Sequence, residues 1–143
     1  MLNWCNQFNI CAFLDNHQYH LPQHTFECLI GCGSVASVNT QAGHAFDELQ
    51  LFIKAHNDWC FGHFGYDLKN ETEQLHSTHP DKIGFPDLFF FIPKYIIQLS
   101  ETEISIGSFK NDHEKLLNEI SAFPVCSKNK TESLVEIKER VSK

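Results

Sequence analysis

Nine histidines and six cysteines are the side chains of this 143-residue chain with the widest chemical reach. His17, His20 and His24 crowd one polar stretch, and His76 and His79 another. Imidazoles hold zinc when they converge at about 2.0–2.1 Å, but no Cys or carboxylate stands at a typical zinc spacing from these. The cysteines fall at 5, 11, 28, 32, 60 and 126, with no Cys-x-x-Cys pair. Cys28 and Cys32 are four apart, yet nothing local supplies the base or positive field that a nucleophilic thiolate needs. Cys11, Cys28, Cys32 and Cys60 lie in apolar segments, where a free thiol behaves as a small buried hydrophobe. Gly31-Cys-Gly-Ser34 follows an apolar run as a phosphate loop would. The third glycine of Gly-x-Gly-x-x-Gly is replaced by Ala36, and no helix starts there, so a tight turn is the better account. Glu71 and Glu73 are two apart and do not share a helix face. On residue types alone the sequence assigns no catalytic residue and no metal ligand.

The elements that would position these groups can be read from periodicity and breakers. Phe8–Leu14 is apolar and predicts a strand, and Asp15–His24, with Pro22, predicts a loop. Phe26–Ile30 predicts a second strand closed by Gly31 and Gly33, with a possible short strand at Val35–Val38. From Gly43 to His56, Ala45, Phe46, Leu49, Phe52, Ile53 and His56 recur at helical spacing, with Asp47, Glu48, Gln50 and Lys54 opposite. Trp59–Tyr66 reads as a strand broken by Gly62 and Gly65. A short helix is expected at Glu71–Leu75, capped by Asp67 or Asn70. Leu88–Ile92 predicts a strand buried on both faces, and Tyr95–Leu99 with Glu103–Ile106 a hairpin turning at Ser100–Thr102. Asn111-Asp-His-Glu114 has capping-box spacing ahead of a helix that Pro124 ends. After a polar linker at Ser127–Lys130, Thr131 begins a last helix. Strands and helices without a βαβ rhythm predict one α+β or mixed α/β domain over residues 1–143, a largely antiparallel sheet packed with helices.

The bulk composition narrows the function. With 42% hydrophobic residues and 13 phenylalanines, the chain can build an aromatic-rich core. A net charge of −7 repels phosphate backbones, which argues against a nucleic-acid partner. No apolar run reaches the roughly 18 residues of a membrane span, and Met1-Leu-Asn-Trp-Cys-Asn lacks the basic start of a secretion signal. The expectation is a cytoplasmic protein with no membrane partner.

Two stretches carry more information together than apart. Trp59, Phe61, Gly62, Tyr66, Asp67, Leu68, Lys69, Asn70, Glu73 and Leu75 form one, and Phe85, Pro86, Asp87, Phe89–Phe91 and Pro93 the other. Together they resemble the N-terminal region of component I of the chorismate-utilising aminases, the para-aminobenzoate (aminodeoxychorismate) and anthranilate synthases. The likeness spans roughly residues 26 to 93, and it leans towards the para-aminobenzoate branch.

The resemblance implies an N-terminal domain that stops before the catalytic chorismate-binding domain. Such a domain would scaffold the full enzyme, which aminates chorismate with ammonia from a glutamine amidotransferase subunit, and would be inactive alone. Magnesium is expected for the full-length enzyme and no cofactor for this stretch. Trp59, Tyr66, Asp67, Lys69, Asn70, Pro86 and Asp87 are motif residues with structural roles. The family's amino-acid pocket maps onto Cys32 and Ser34, with Cys32 where the family has a serine. A thiol is a weaker hydrogen-bonding group than a hydroxyl, which weakens the case for tryptophan there. The rival expectations are the anthranilate branch, a free-standing amino-acid sensor, and a structural module whose exposed apolar face pairs with the missing domain or a second copy.

Overall fold

The computed structural model describes residues 1–17, 19, 26–73, 82–110 and 112–123. Five strands make one antiparallel sheet: β1 (Cys11–Asp15), β2 (Cys28–Thr40), β3 (Phe61–Phe64), β4 (Leu88–Leu99) and β5 (Ile104–Ser108). The helices are α1 (Leu2–Cys5), α2 (Ala45–His56), α3 (Lys69–Thr72), which continues a single 3-10 turn at Tyr66–Leu68, and α4 (His113–Ala122). This is the α+β class expected from the sequence. No helix among the described residues is long and apolar enough to cross a membrane.

The sheet is organised by two long strands. β2 and β4 pair from Cys28↔Leu99 to Thr40↔Leu88, and β1 adds to the outer edge of β2. The other edge of β4 is shared: β3 takes Leu88–Phe91 and β5 takes Tyr95–Leu99, leaving Ile92–Lys94 unpaired on that side. The sequence reading placed a break at Pro93 between two separate strands. The structure instead carries β4 straight through it. Pro93 stands opposite Ser34, where β2 inserts an extra residue and the ladder is interrupted. A proline has no N–H to donate, and a bulge is one of the few places in a sheet interior where that costs no bond.

Contrary to the sequence expectation, Gly31 and Gly33 do not close β2; the strand runs on to Thr40 and absorbs Val35–Val38. Gly31 is a matter of space, since a Cβ there would lie 2.9 Å from the Phe61 ring. Gly33 has φ +66 and leads into the bulge. β1 starts three residues later than expected because Leu2–Cys5 winds a helical turn and Phe8 N–H donates to the Cys5 carbonyl at 3.1 Å.

Two hydrophobic clusters hold the helices to the sheet. Trp4, Cys5, Ile30, Cys32, Tyr95, Ile97 and Leu116 join α1, α4 and the β2–β4 ladder. Ala45 and Leu49 of α2 pack with Leu68 and Leu88, flanked by Val38 and Phe90. The expected apolar face of α2 is thus only partly used, since Phe46 and Ile53 are more than 40% exposed. Asn57, at φ 46, ends the helix and returns its N–H to Ile53. The hairpin turn falls where the sequence put it, with Ser100 Oγ accepting the N–H groups of Thr102 and Glu103. At α4 the side chain of Asp112 makes no cap bond and accepts the Ser108 hydroxyl at 2.6 Å instead. Asn111, Pro124, the linker and the expected last helix lie outside the described residues.

Gly62 pairs with Phe90, and a Cβ on it would run into the Phe89 carbonyl and the Phe90 ring. Gly62→Ala should therefore destabilise the domain by about 3 kcal/mol, at the upper end of overpacking costs. A urea midpoint unchanged from the parent would contradict this contact.

Candidate functional site

Residues of the two resembling stretches meet at the start of α2. The first N–H groups of a helix have no partner within it. His44, in the cap position, makes no side-chain capping bond. The acceptor comes from far along the chain. Glu71 Oε1 receives Gly43 N–H at 2.6 Å and Ala45 N–H at 2.7 Å, and Oε2 receives a long bond from Phe46 N–H at 3.4 Å. Asp87 Oδ2 accepts Ala42 N–H at 2.9 Å, while the Asp87 carbonyl accepts from Gly65. Two carboxylates thus fasten the loop between β2 and α2, and a negative charge at a helix N-terminus also suits its dipole. Desolvation is the largest single influence and raises the Glu71 pKa, but the N–H groups of Ala45, Gly43 and Phe46, with His44 nearby, together outweigh it and hold the carboxyl below its ordinary value.

The remaining motif residues surround this clamp. Lys69 Nζ donates to Asp67 Oδ1 at 3.0 Å and sits 4.0 Å from the centre of the Tyr66 ring. Neither Asp67 nor Asn70 caps a helix, contrary to expectation. The 3-10 turn begins at Tyr66 and α3 at Lys69, so Asp67 already lies inside the helical run and Asn70 is exposed on α3. His63 Nε2 bonds the Pro86 carbonyl at 3.2 Å and its ring lies against Phe85. Trp59 stacks on Phe61, which packs on Phe91.

Trp59 also lines a groove of about 360 Å³ at the gap in β4 between β3 and β5. Asp58 and Lys94 contribute opposite charges to its walls, and Gln98, Ser105 and Ser108 contribute polar ends. Cys32 and Ser34 are not brought together. Cys32 is fully buried, whereas Ser34 is exposed on the bulge and donates to the Ala36 carbonyl at 3.0 Å. Ser34 faces a second hollow with Lys94, Ser108 and Lys110.

One cluster escaped the sequence reading. Cys11 stands directly opposite Cys32, with their sulfurs 3.2 Å apart, and the Cys5 sulfur joins them so that all three lie within 4.8 Å. Positions 5, 11 and 32 match no metal spacing; only the β1–β2 register and the α1 turn assemble them. Burial is the main cause that raises the pKa of Cys32 far above the ordinary thiol value, and of Cys11 to a lesser degree. It also raises that of Cys60, which lies outside the cluster. No protein-family model and no curated protein matches the chain.

Glu71→Ala should cost about 1 kcal/mol near neutral pH, the usual scale of a lost helix cap at a solvent-facing site. Because the folded pKa is lowered, this stabilisation is present above the ordinary carboxylate value of 4.5 and fades as pH falls through the lower folded value. The gap between parent and variant in urea midpoints should therefore narrow from about pH 7 towards about pH 2. An equal gap at both would show that the clamp does not depend on charge.

Proposed function

We propose that the chain is the N-terminal domain of component I of a chorismate-utilising aminase, of the para-aminobenzoate branch. In this reading it scaffolds a C-terminal chorismate-binding domain and helps to present it to a glutamine amidotransferase subunit in the cytoplasm. Chorismate, Mg²⁺ and the amination belong to that second domain.

One observation carries the reading beyond the likeness of motifs. The charged residues of the resembling stretches are engaged within the domain: Asp87 holds the Ala42 backbone and Lys69 pairs with Asp67, while the adjoining Glu71 holds Gly43 and Ala45. A motif consumed in positioning the chain suits a scaffold whose reactive groups lie elsewhere. Around it the surface is rich in exposed rings, Phe64, Tyr66 and Phe85 each being more than half exposed. Apolar surface of this kind suits a covering domain or a second copy of the chain.

The test is complementation in two pieces. The chain is co-expressed with a component I catalytic half that lacks its own N-terminal region, and aminodeoxychorismate formation is measured with ammonia and Mg²⁺. The expected result is activity from the pair and none from the chain alone. Turnover of chorismate by the chain alone, or no gain in activity and no association with the catalytic half, would overturn the proposal.

A second reading, an amino-acid-binding module, draws on the groove beside Trp59. Asp58 and Lys94 on its walls offer partners to the ammonium and carboxylate ends of a zwitterion, and the indole offers an apolar wall. Calorimetry with tryptophan and the other amino acids should give a saturable heat that Trp59→Ala removes. No heat with any of them would discard this reading.

A further inference from the structure

Cys5, Cys11 and Cys32 come from three different elements, α1, β1 and β2, and the fold leaves them little freedom to separate. The Gly33 N–H to Ile10 carbonyl bond, 2.9 Å, makes the neighbouring Cys11–Cys32 pair a non-hydrogen-bonded one, in which side chains approach most closely. Cys5 and Cys32 are 3% and 0% exposed, whereas Cys11 is open to solvent. Among the described residues no other set of three metal-ligating side chains comes within this distance.

We propose that these three sulfurs form a thiolate site for a zinc-class divalent cation, with a water molecule completing the coordination on the open side of Cys11. Zinc–thiolate bonds of about 2.3 Å in a tetrahedron put sulfurs about 3.8 Å apart. The trio spans that separation, with one pair at 3.2 Å and all three within 4.8 Å, so small rotamer changes suffice. The ion replaces three protons: three S–H bonds break, three S–metal bonds form, and the protons pass to solvent. Three thiolates around a divalent ion leave one net negative charge, while a monovalent ion such as Cu⁺ would leave two. The smaller net charge is the less costly one to hold beside the buried Cys5 and Cys32, which favours the divalent ion. Binding must also overcome the preference of buried sulfur for its protonated form, so the apparent affinity rises with pH.

The rival fate of the pair is a cross-strand disulfide between Cys11 and Cys32. It would require a two-electron oxidant and would leave Cys5 as a lone thiol. The experiment uses the fully reduced 143-residue chain. Zn²⁺ is titrated against a chromophoric chelator at several pH values, and Co²⁺ is used to look for thiolate-to-cobalt charge transfer. One ion per chain, affinity rising with pH and a charge-transfer band are expected. Cys11→Ser, at an exposed position that folding tolerates, should weaken binding on the order of 100-fold or more, since even outer-shell changes cost 10–100-fold. Cys5→Ser should do the same, and Cys60→Ser should leave binding unchanged. Circular dichroism confirms that each variant is folded. No uptake of Zn²⁺ by the reduced chain, undiminished binding in Cys11→Ser, or uptake of Cu⁺ but not Zn²⁺ would overturn the assignment.

Discussion

The pairing of β2 with β4 is the constraint on which the rest of the domain depends. Those strands are the longest, they run side by side from Cys28↔Leu99 to Thr40↔Leu88, and both hydrophobic clusters are built on their side chains. Their fit requires two irregularities to coincide. β2 inserts an extra residue between Ser34 and Ala36, and β4 carries Pro93 opposite Ser34. Either alone would damage a ladder; together they share one gap. The same gap, on the other edge of β4, separates β3 from β5 and opens the groove beside Trp59.

The motif residues stabilise this arrangement from outside the sheet. α2 must begin close to the end of β2, and its first N–H groups would be left unpaired by its own sequence. Glu71 and Asp87 supply acceptors from segments lying far along the chain. Closeness of backbone is a second requirement. Gly62 and Gly65 lie against the chain at Phe89 and Asp87, where no side chain fits. The residues that draw attention in the sequence are thus largely concerned with how strands and loops approach one another.

Much of the fold was legible because it rests on local signals. The α+β class, α2, the Ser100–Glu103 turn and the segments of β1, β3 and β5 follow from periodicity and breakers. What misled was treating Gly31, Gly33 and Pro93 as punctuation. Each is a normal strand breaker, and each is tolerated here by a tertiary circumstance: the Phe61 ring, the bulge, and the bulge again. Capping by Asp67 or Asn70 failed for a related reason, because the helical run begins earlier, at Tyr66. The thiol trio was invisible for a different one. Its members are brought together by strand register and by a four-residue helix at the chain start, and no spacing rule encodes either. The clamp by Glu71 joins groups 28 residues apart, which a local reading of that glutamate beside Glu73 at the start of a short helix could not find.

The β2–β4 ladder also governs how the polypeptide can acquire its shape during synthesis. β1 and β2 are near neighbours in sequence and can form a hairpin early, but the opposite edge of β2 has no partner until β4 is made. During that interval thirteen residues of open strand, including Val35 and Val38, present bare amides and carbonyls to solvent. Antiparallel partners so distant in sequence are slow to meet, because the loop entropy is lost before the contacts are gained. A nascent chain stalled before Leu88 would carry an adhesive edge, the kind of unpaired strand that makes an incomplete chain prone to aggregate.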